Sequence, residues 1–168
     1  VPDRRGPALS RLCAGVVAAH PEHADDRLRA LADGLDARLA EVAACGLPYT
    51  LVHSDLHPGN ARGDARRRVI LDWGDCVLGH PAFDILRLPE RVPADDERSL
   101  VDAWVRRWRA AVPGSDPARA VALLRPVVAL RNAAVYAGFV AAIEPSEHPY
   151  HADDVPFWLA RAAEEAGV

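Results

Sequence analysis

Leu28, Leu31, Leu35, Leu39 and Val42 recur at steps of three and four residues, which lines one face of a helix with apolar side chains. This period predicts a helix over 24–44, ended by Gly46 and Pro48. An earlier apolar-periodic stretch over 8–19 follows Gly6-Pro7, stops before Pro21, and reads as a helix too. The period then shortens. Tyr49-Thr50-Leu51-Val52-His53 and Arg68-Val69-Ile70-Leu71-Asp72-Trp73 are short β-like runs, separated by a loop rich in Pro, Gly and Asn and by a polar turn over 62–67. They are expected to form a small hairpin set among helices, with Val69-Ile70-Leu71 buried. After a loop over 74–79, Pro81 favours the first turn of a helix over 82–88. Long helices are predicted over 95–112 and 116–143, the second kinked or divided at Pro126. Asp153 and Asp154 mark the start of a last amphipathic helix reaching 166. The fold class expected is mainly α with a small β-hairpin, an α+β chain, forming one domain over 1–168 without internal repeats.

Composition narrows the classes. Half of the 168 residues are hydrophobic and 26% are charged, enough for a packed core and unlike a disordered chain. A formal net charge of −4 offers no basic footprint for nucleic acid. No uninterrupted apolar run reaches the roughly 18 residues that span a bilayer, so no membrane partner is expected. Cys13, Cys45 and Cys76 are odd in number and far apart, which fits free thiols in a reducing cytoplasm. Every one of the 20 basic residues is arginine, and there is no methionine. Lysine chemistry is therefore excluded, including Schiff bases and a lysine gripping nucleotide phosphates. The missing initiator leads us to expect a fragment, an excised domain or a mature end.

Chemistry concentrates in His53-Ser54-Asp55-Leu56-His57-Pro58-Gly59-Asn60 and Leu71-Asp72-Trp73. Asp55 and Asn60 stand in a D-x-x-x-x-N spacing on a loop that directly follows a β-like run. Phosphoryl transfer needs a carboxylate beside the attacking hydroxyl and oxygen ligands that bring Mg²⁺ to the phosphates. Asp55 suits the first role, and the neutral amide oxygen of Asn60 suits the second. Asp72 closes an apolar run, and a metal is one partner that would offset its desolvation.

These motifs, with Gly79-His80-Pro81-Ala82-Phe83-Asp84-Ile85, resemble the aminoglycoside phosphotransferase (choline-kinase-like) family over about 52–88. The resemblance implies a protein-kinase-like fold, of which this chain would be the mainly helical C-lobe. It implies that Asp55 is the catalytic Asp and that Asn60 and Asp72 bind Mg²⁺. It also implies that His53 is a structural loop histidine and that Asp84 braces the catalytic loop through its backbone N–H groups. Transfer of the γ-phosphate of ATP or GTP to a hydroxylated small-molecule acceptor would follow. Ser54 departs from the glycine common at that place. Neither a Gly-rich loop, nor a β-rich first half, nor a lysine is present, so an absent N-lobe and an enzyme inactive by itself are expected.

Other residues stay open at this level. Asp75, Glu144 and Glu147, with Asp153 and Asp154, could face a cationic acceptor, or serve as caps and loop charge. Arg66-Arg67-Arg68 and Arg106-Arg107-Arg109 read as solvated faces, and Trp104 and Trp108 as core. Trp73 is expected to pack beside the metal site, and His57 to serve loop packing. In an extended segment His53, Asp55 and His57 would point to one side, so a metal-dependent hydrolase completed by Asp72 or His80 is a second reading. A non-catalytic kinase-like remnant is a third.

Overall fold

A computed structural model describes residues 1–64, 66–89 and 92–167. The apolar periods become helices α1 (Gly6–Ala19), α2 (Asp26–Asp33), α3 (Leu35–Ala44), α4 (Ala82–Arg87), α5 (Ala94–Ala111), α6 (Pro117–Ala142) and α7 (Asp154–Ala166). The helix expected over 24–44 is therefore two. Asp25 caps α2 by accepting from the Leu28 amide at 2.9 Å, and α2 ends at Gly34, whose N–H bonds Ala30 O. A Cβ at Gly34 would lie 3.2 Å from Ala30 O, so glycine suits the tight join. The other helices begin and end within about two residues of their expected bounds. Pro126 sits inside α6 without dividing it.

The chain falls into two compact units. One holds 6–40 and 125–167, where α1 packs on α2 and α2 on α7. Its core includes Leu9, Leu28, Leu35, Leu130 and Leu159, all nearly or fully buried. By length and composition α6 could cross a membrane, but 67% of its most apolar stretch is buried within the protein, as in a core helix.

The other unit holds 1–5 and 41–124. Strand β1 (Thr50–Val52) pairs antiparallel with β4 (Val77–Gly79), in the register Thr50↔Gly79, Leu51↔Leu78, Val52↔Val77. The chain start joins β4 in parallel: Leu78 N donates to Pro2 O and Arg4 N to Leu78 O, both at 2.9 Å. Strand β2 (Ala61–Gly63) pairs with β3 (Arg68–Ile70). The two runs expected to pair with each other thus each take a partner from a segment read as loop or turn. Gly63 makes the second hairpin possible. Its φ is +144°, and a Cβ there would collide with the carbonyl of Arg67. Asp64 accepts from the amides of Arg66 and Arg67 at 2.7 and 2.9 Å and closes the turn, of which Ala65 lies outside the described residues. Val69, Ile70 and Leu71 are exposed, so the expected burial of this run is corrected. Two antiparallel strands alone cover neither face of a ribbon. Trp104 and Trp108 do pack inward, on a cluster of Cys45, Leu47 and Ala120.

Candidate active site

The loop leaving β1 is held by one side chain. The Asp84 carboxylate, on α4, accepts from the His53 amide through Oδ2 at 2.8 Å and from the Ser54 amide through Oδ1 at 3.1 Å. Charge-assisted bonds to two successive amides fix the peptide plane between them. Ser54 lies in the left-handed region with φ +77° and is buried, so the chain reverses there and presents Asp55. Such a conformation costs a non-glycine residue of order 1–2 kcal/mol, the kind of strain that gathers at functional sites.

His53 ties this loop to the segment carrying Asp72. Its Nδ1 accepts from the Asp55 amide at 3.3 Å, which requires the proton on Nε2, and Nε2 then donates to Leu71 O at 2.7 Å. The ring is 1% exposed and packs against Trp73, with ring centroids 4.8 Å apart. From the other side, the Leu71 amide donates to Asn60 O at 2.9 Å. Both ends of Leu71 are therefore bonded to the loop that carries Asp55 and Asn60, and Asp72 is the residue that follows. Asp72 itself has φ +59° and is exposed, and among the described residues its carboxylate has no hydrogen-bond or ionic partner. The expectation that Asp72 is desolvated at the end of a buried strand is therefore corrected.

Asn60 ends a short turn over Pro58–Asn60, and its amide donates to His57 O at 2.9 Å. Its side-chain Nδ2 donates to Asp55 O at 3.0 Å and lies 3.4 Å from Asp55 Oδ2. With the nitrogen turned inward, the amide oxygen Oδ1 is the atom left for a hard cation. Gly59 is needed for the turn: a Cβ would run into the His57 ring, whose Nδ1 accepts from the Gly59 amide at 3.0 Å. The other His57 nitrogen, Nε2, lies 3.5 Å from Asp55 Oδ2. Arg87 donates to Asp55 Oδ1 through Nη2 at 2.8 Å and Nε at 3.2 Å. Sequence reading passed over Arg87. The signal was present, however, in a charged residue among Ile85, Leu86 and Leu88, three places after Asp84 and hence on the same helix face.

The remaining expectations divide. His53, Asp84, Asp55 and Asn60 are joined by direct hydrogen bonds, and Asp72 is set by its neighbour. Asp75 is exposed in the same unit; Glu144 and Glu147 are exposed in the other. The hydrolase arrangement does not assemble, because both ring nitrogens of His53 are already engaged and His57 Nδ1 is bound to Gly59. Among the described residues no group of three or more His, Cys, Asp and Glu could hold a metal. His80 is 3% exposed, its Nδ1 accepts from the Ala82 amide at 3.2 Å, and burial pushes its pKa down to about 4.

A donor set of one carboxylate and one amide oxygen suits Mg²⁺, which keeps several waters and takes few protein ligands beside nucleotide phosphates. The model of the phosphotransferase enzyme family matches residues 2–122, a span that contains every group just described around Asp55. No curated protein matches the chain.

Proposed function

The chain belongs to the phosphotransferase enzyme family, of the aminoglycoside-phosphotransferase and choline-kinase kind, and from that premise we propose that, completed by a nucleotide-gripping lobe, it transfers the γ-phosphoryl group of ATP or GTP to a hydroxyl of a small molecule. Asp55 orients the acceptor hydroxyl and takes its proton. The hydroxyl oxygen bonds to the γ-phosphorus as the bond from phosphorus to the bridging β–γ oxygen breaks, and the nucleoside diphosphate leaves with that electron pair. Asn60 and Asp72 would hold Mg²⁺. The metal, when bound, neutralises charge on the phosphates. Asp84 and His53 keep the loop in register with Asp72. The kinase-like lobe architecture belongs to the same reading.

One observation carries the proposal: the Leu71 peptide is bonded to Asn60 on one side and to His53 on the other. A chance D-x-x-x-x-N segment has no reason to be tied in this way to a second carboxylate. The exposed Asp75, in the same unit as Asp55, would suit a cationic acceptor, an amino-sugar or amine. The test, on the chain joined to the nucleotide-binding lobe of another member of the family, is transfer of labelled phosphate from Mg²⁺·ATP or Mg²⁺·GTP to a panel of aminoglycosides, choline-like amines, amino acids and sugars. Asp55→Ala should lower kcat by about 10²–10⁴-fold with nucleotide binding largely kept. Asp72→Asn should chiefly raise the Mg²⁺ requirement. Near-normal turnover in Asp55→Ala would sink the assignment.

A further inference from the structure

Helix α4 does more than brace the loop backbone. Asp84 and Arg87, three residues apart on one helix face, hold three consecutive residues: the amides of His53 and Ser54, and the side chain of Asp55. Arg87 is the buried member of its pair, with its side chain 10% exposed against 38% for Asp55. A guanidinium confined in this way cannot follow a wandering carboxylate; the carboxylate must come to it. Both donors that reach Asp55 fall on Oδ1, whereas Oδ2 is turned to the Asn60 amide and His57.

We infer that Arg87 is a positioning residue: it locks the Asp55 carboxylate by Oδ1, so that Oδ2 is held beside Asn60 as the oxygen that meets the acceptor hydroxyl. The role given to Oδ2 rests on the proposed phosphoryl transfer; the locking does not. An arginine here has a second virtue. It holds its charge at any working pH and cannot itself exchange the proton that Asp55 takes up. The Asn60 amide nitrogen, bonded to the Asp55 backbone carbonyl at 3.0 Å, has the locked Oδ2 as its second acceptor at 3.4 Å, so its signals report where Arg87 holds the carboxylate.

The experiment uses the full chain labelled with ¹⁵N, in the wild type, Arg87→Met and Arg87→Lys, with no ligand added. The probe is the side-chain amide of Asn60, and the backbone amides of His53 and Ser54 report whether the loop is still held by Asp84. Arg87→Met should shift or broaden the Asn60 Nδ2 signals while the His53 and Ser54 amides stay in place, and Arg87→Lys should show a smaller change. Asn60 signals unchanged in both variants would overturn the inference, as would displacement of the His53 and Ser54 amides by Arg87→Lys. In parallel, phosphate release is measured from Mg²⁺·ATP with water as acceptor. Arg87→Met should lower kcat about 100-fold, with KM for Mg²⁺·ATP within about threefold, and Arg87→Lys should recover part of it. Normal kcat in Arg87→Met beside an inactive Asp55→Ala would refute the positioning role alone. Normal kcat in Asp55→Ala would count against the proposed reaction; a wild type that releases no phosphate is what a chain without a nucleotide-gripping lobe should give, and the Asn60 signals then decide for Arg87 by themselves.

Discussion

Acidification should loosen the unit that carries the candidate site through one buried ring, His80. Its Nδ1 serves as acceptor for the Ala82 amide at the start of α4, its Nε2 is buried without a partner among the described residues, and Tyr49 lies edge-on at 6.4 Å. No carboxylate pairs with it, so desolvation alone moves its pKa from the ordinary 6.5 to about 4. The sign follows from proton counting. Between pH 6.5 and 4 the unfolded chain binds a proton at His80 and the folded chain does not, so stability is full above the unfolded value and falls as pH drops through this window. A difference of this size corresponds to about 3 kcal/mol once pH 4 is reached, and to about 2 kcal/mol at pH 5. Asp3, which its hydrogen bonds to Arg5 hold at about 2, remains ionised at pH 5 and does not confuse the comparison. The assay is urea unfolding at pH 7.5 and pH 5.0 of the wild type and of His80→Asn, whose side-chain oxygen can still accept from the Ala82 amide. The wild type should lose about 2 kcal/mol more than the variant over this interval, the six other histidines being common to both. Equal losses would show that His80 takes up its proton in the folded state at its ordinary value, and the reasoning from burial would fail.

Three further outcomes are expected. Asp84→Ala strips two backbone donors of their carboxylate and should destabilise the protein by about 2–4 kcal/mol in thermal or urea unfolding; a change below about 0.5 kcal/mol would mean that the amides are satisfied without it. Ser54→Val places a β-branched side chain at φ +77° and should cost about 2 kcal/mol or more, whereas Ser54→Gly should stay within about 1 kcal/mol of the wild type; similar unfolding midpoints for the two would contradict the left-handed loop. Gly63→Ala forces a Cβ against the Arg67 carbonyl, so hydrogen exchange at the Leu71 amide should quicken by at least about tenfold as the hairpin register gives way; unchanged protection would show that the hairpin does not hold Leu71.

Much of the candidate site is legible in the linear chain because its parts are near one another there. Asp55 and Asn60 are five residues apart, and a loop closed by Pro58 and Gly59 brings an amide side chain back on the carboxylate. The Gly79-His80-Pro81 turn announces α4 and, through it, Asp84. Where the reading failed, the deciding partner was distant. Thr50–Val52 carries no mark that it must pair with Val77–Gly79 rather than with Arg68–Ile70, because a three-residue strand offers too few side chains for alternation to choose among partners. The break at Gly34 was missed for the opposite reason: the apolar period runs straight through it, although the backbone does not.

The sequence by itself therefore determined the mainly helical class, most of the helix positions and which residues gather in the loop around Asp55, since helical period and D-x-x-x-x-N spacing are local properties. Only the tertiary structure decided that Asp72 stands exposed, that Arg87 donates to the Asp55 carboxylate, and that Leu71 is bonded to both His53 and Asn60. The last two rest on hydrogen bonds between atoms 11 to 32 residues apart. Their partners are chosen by how the strands and α4 pack, and no spacing along the chain encodes that choice.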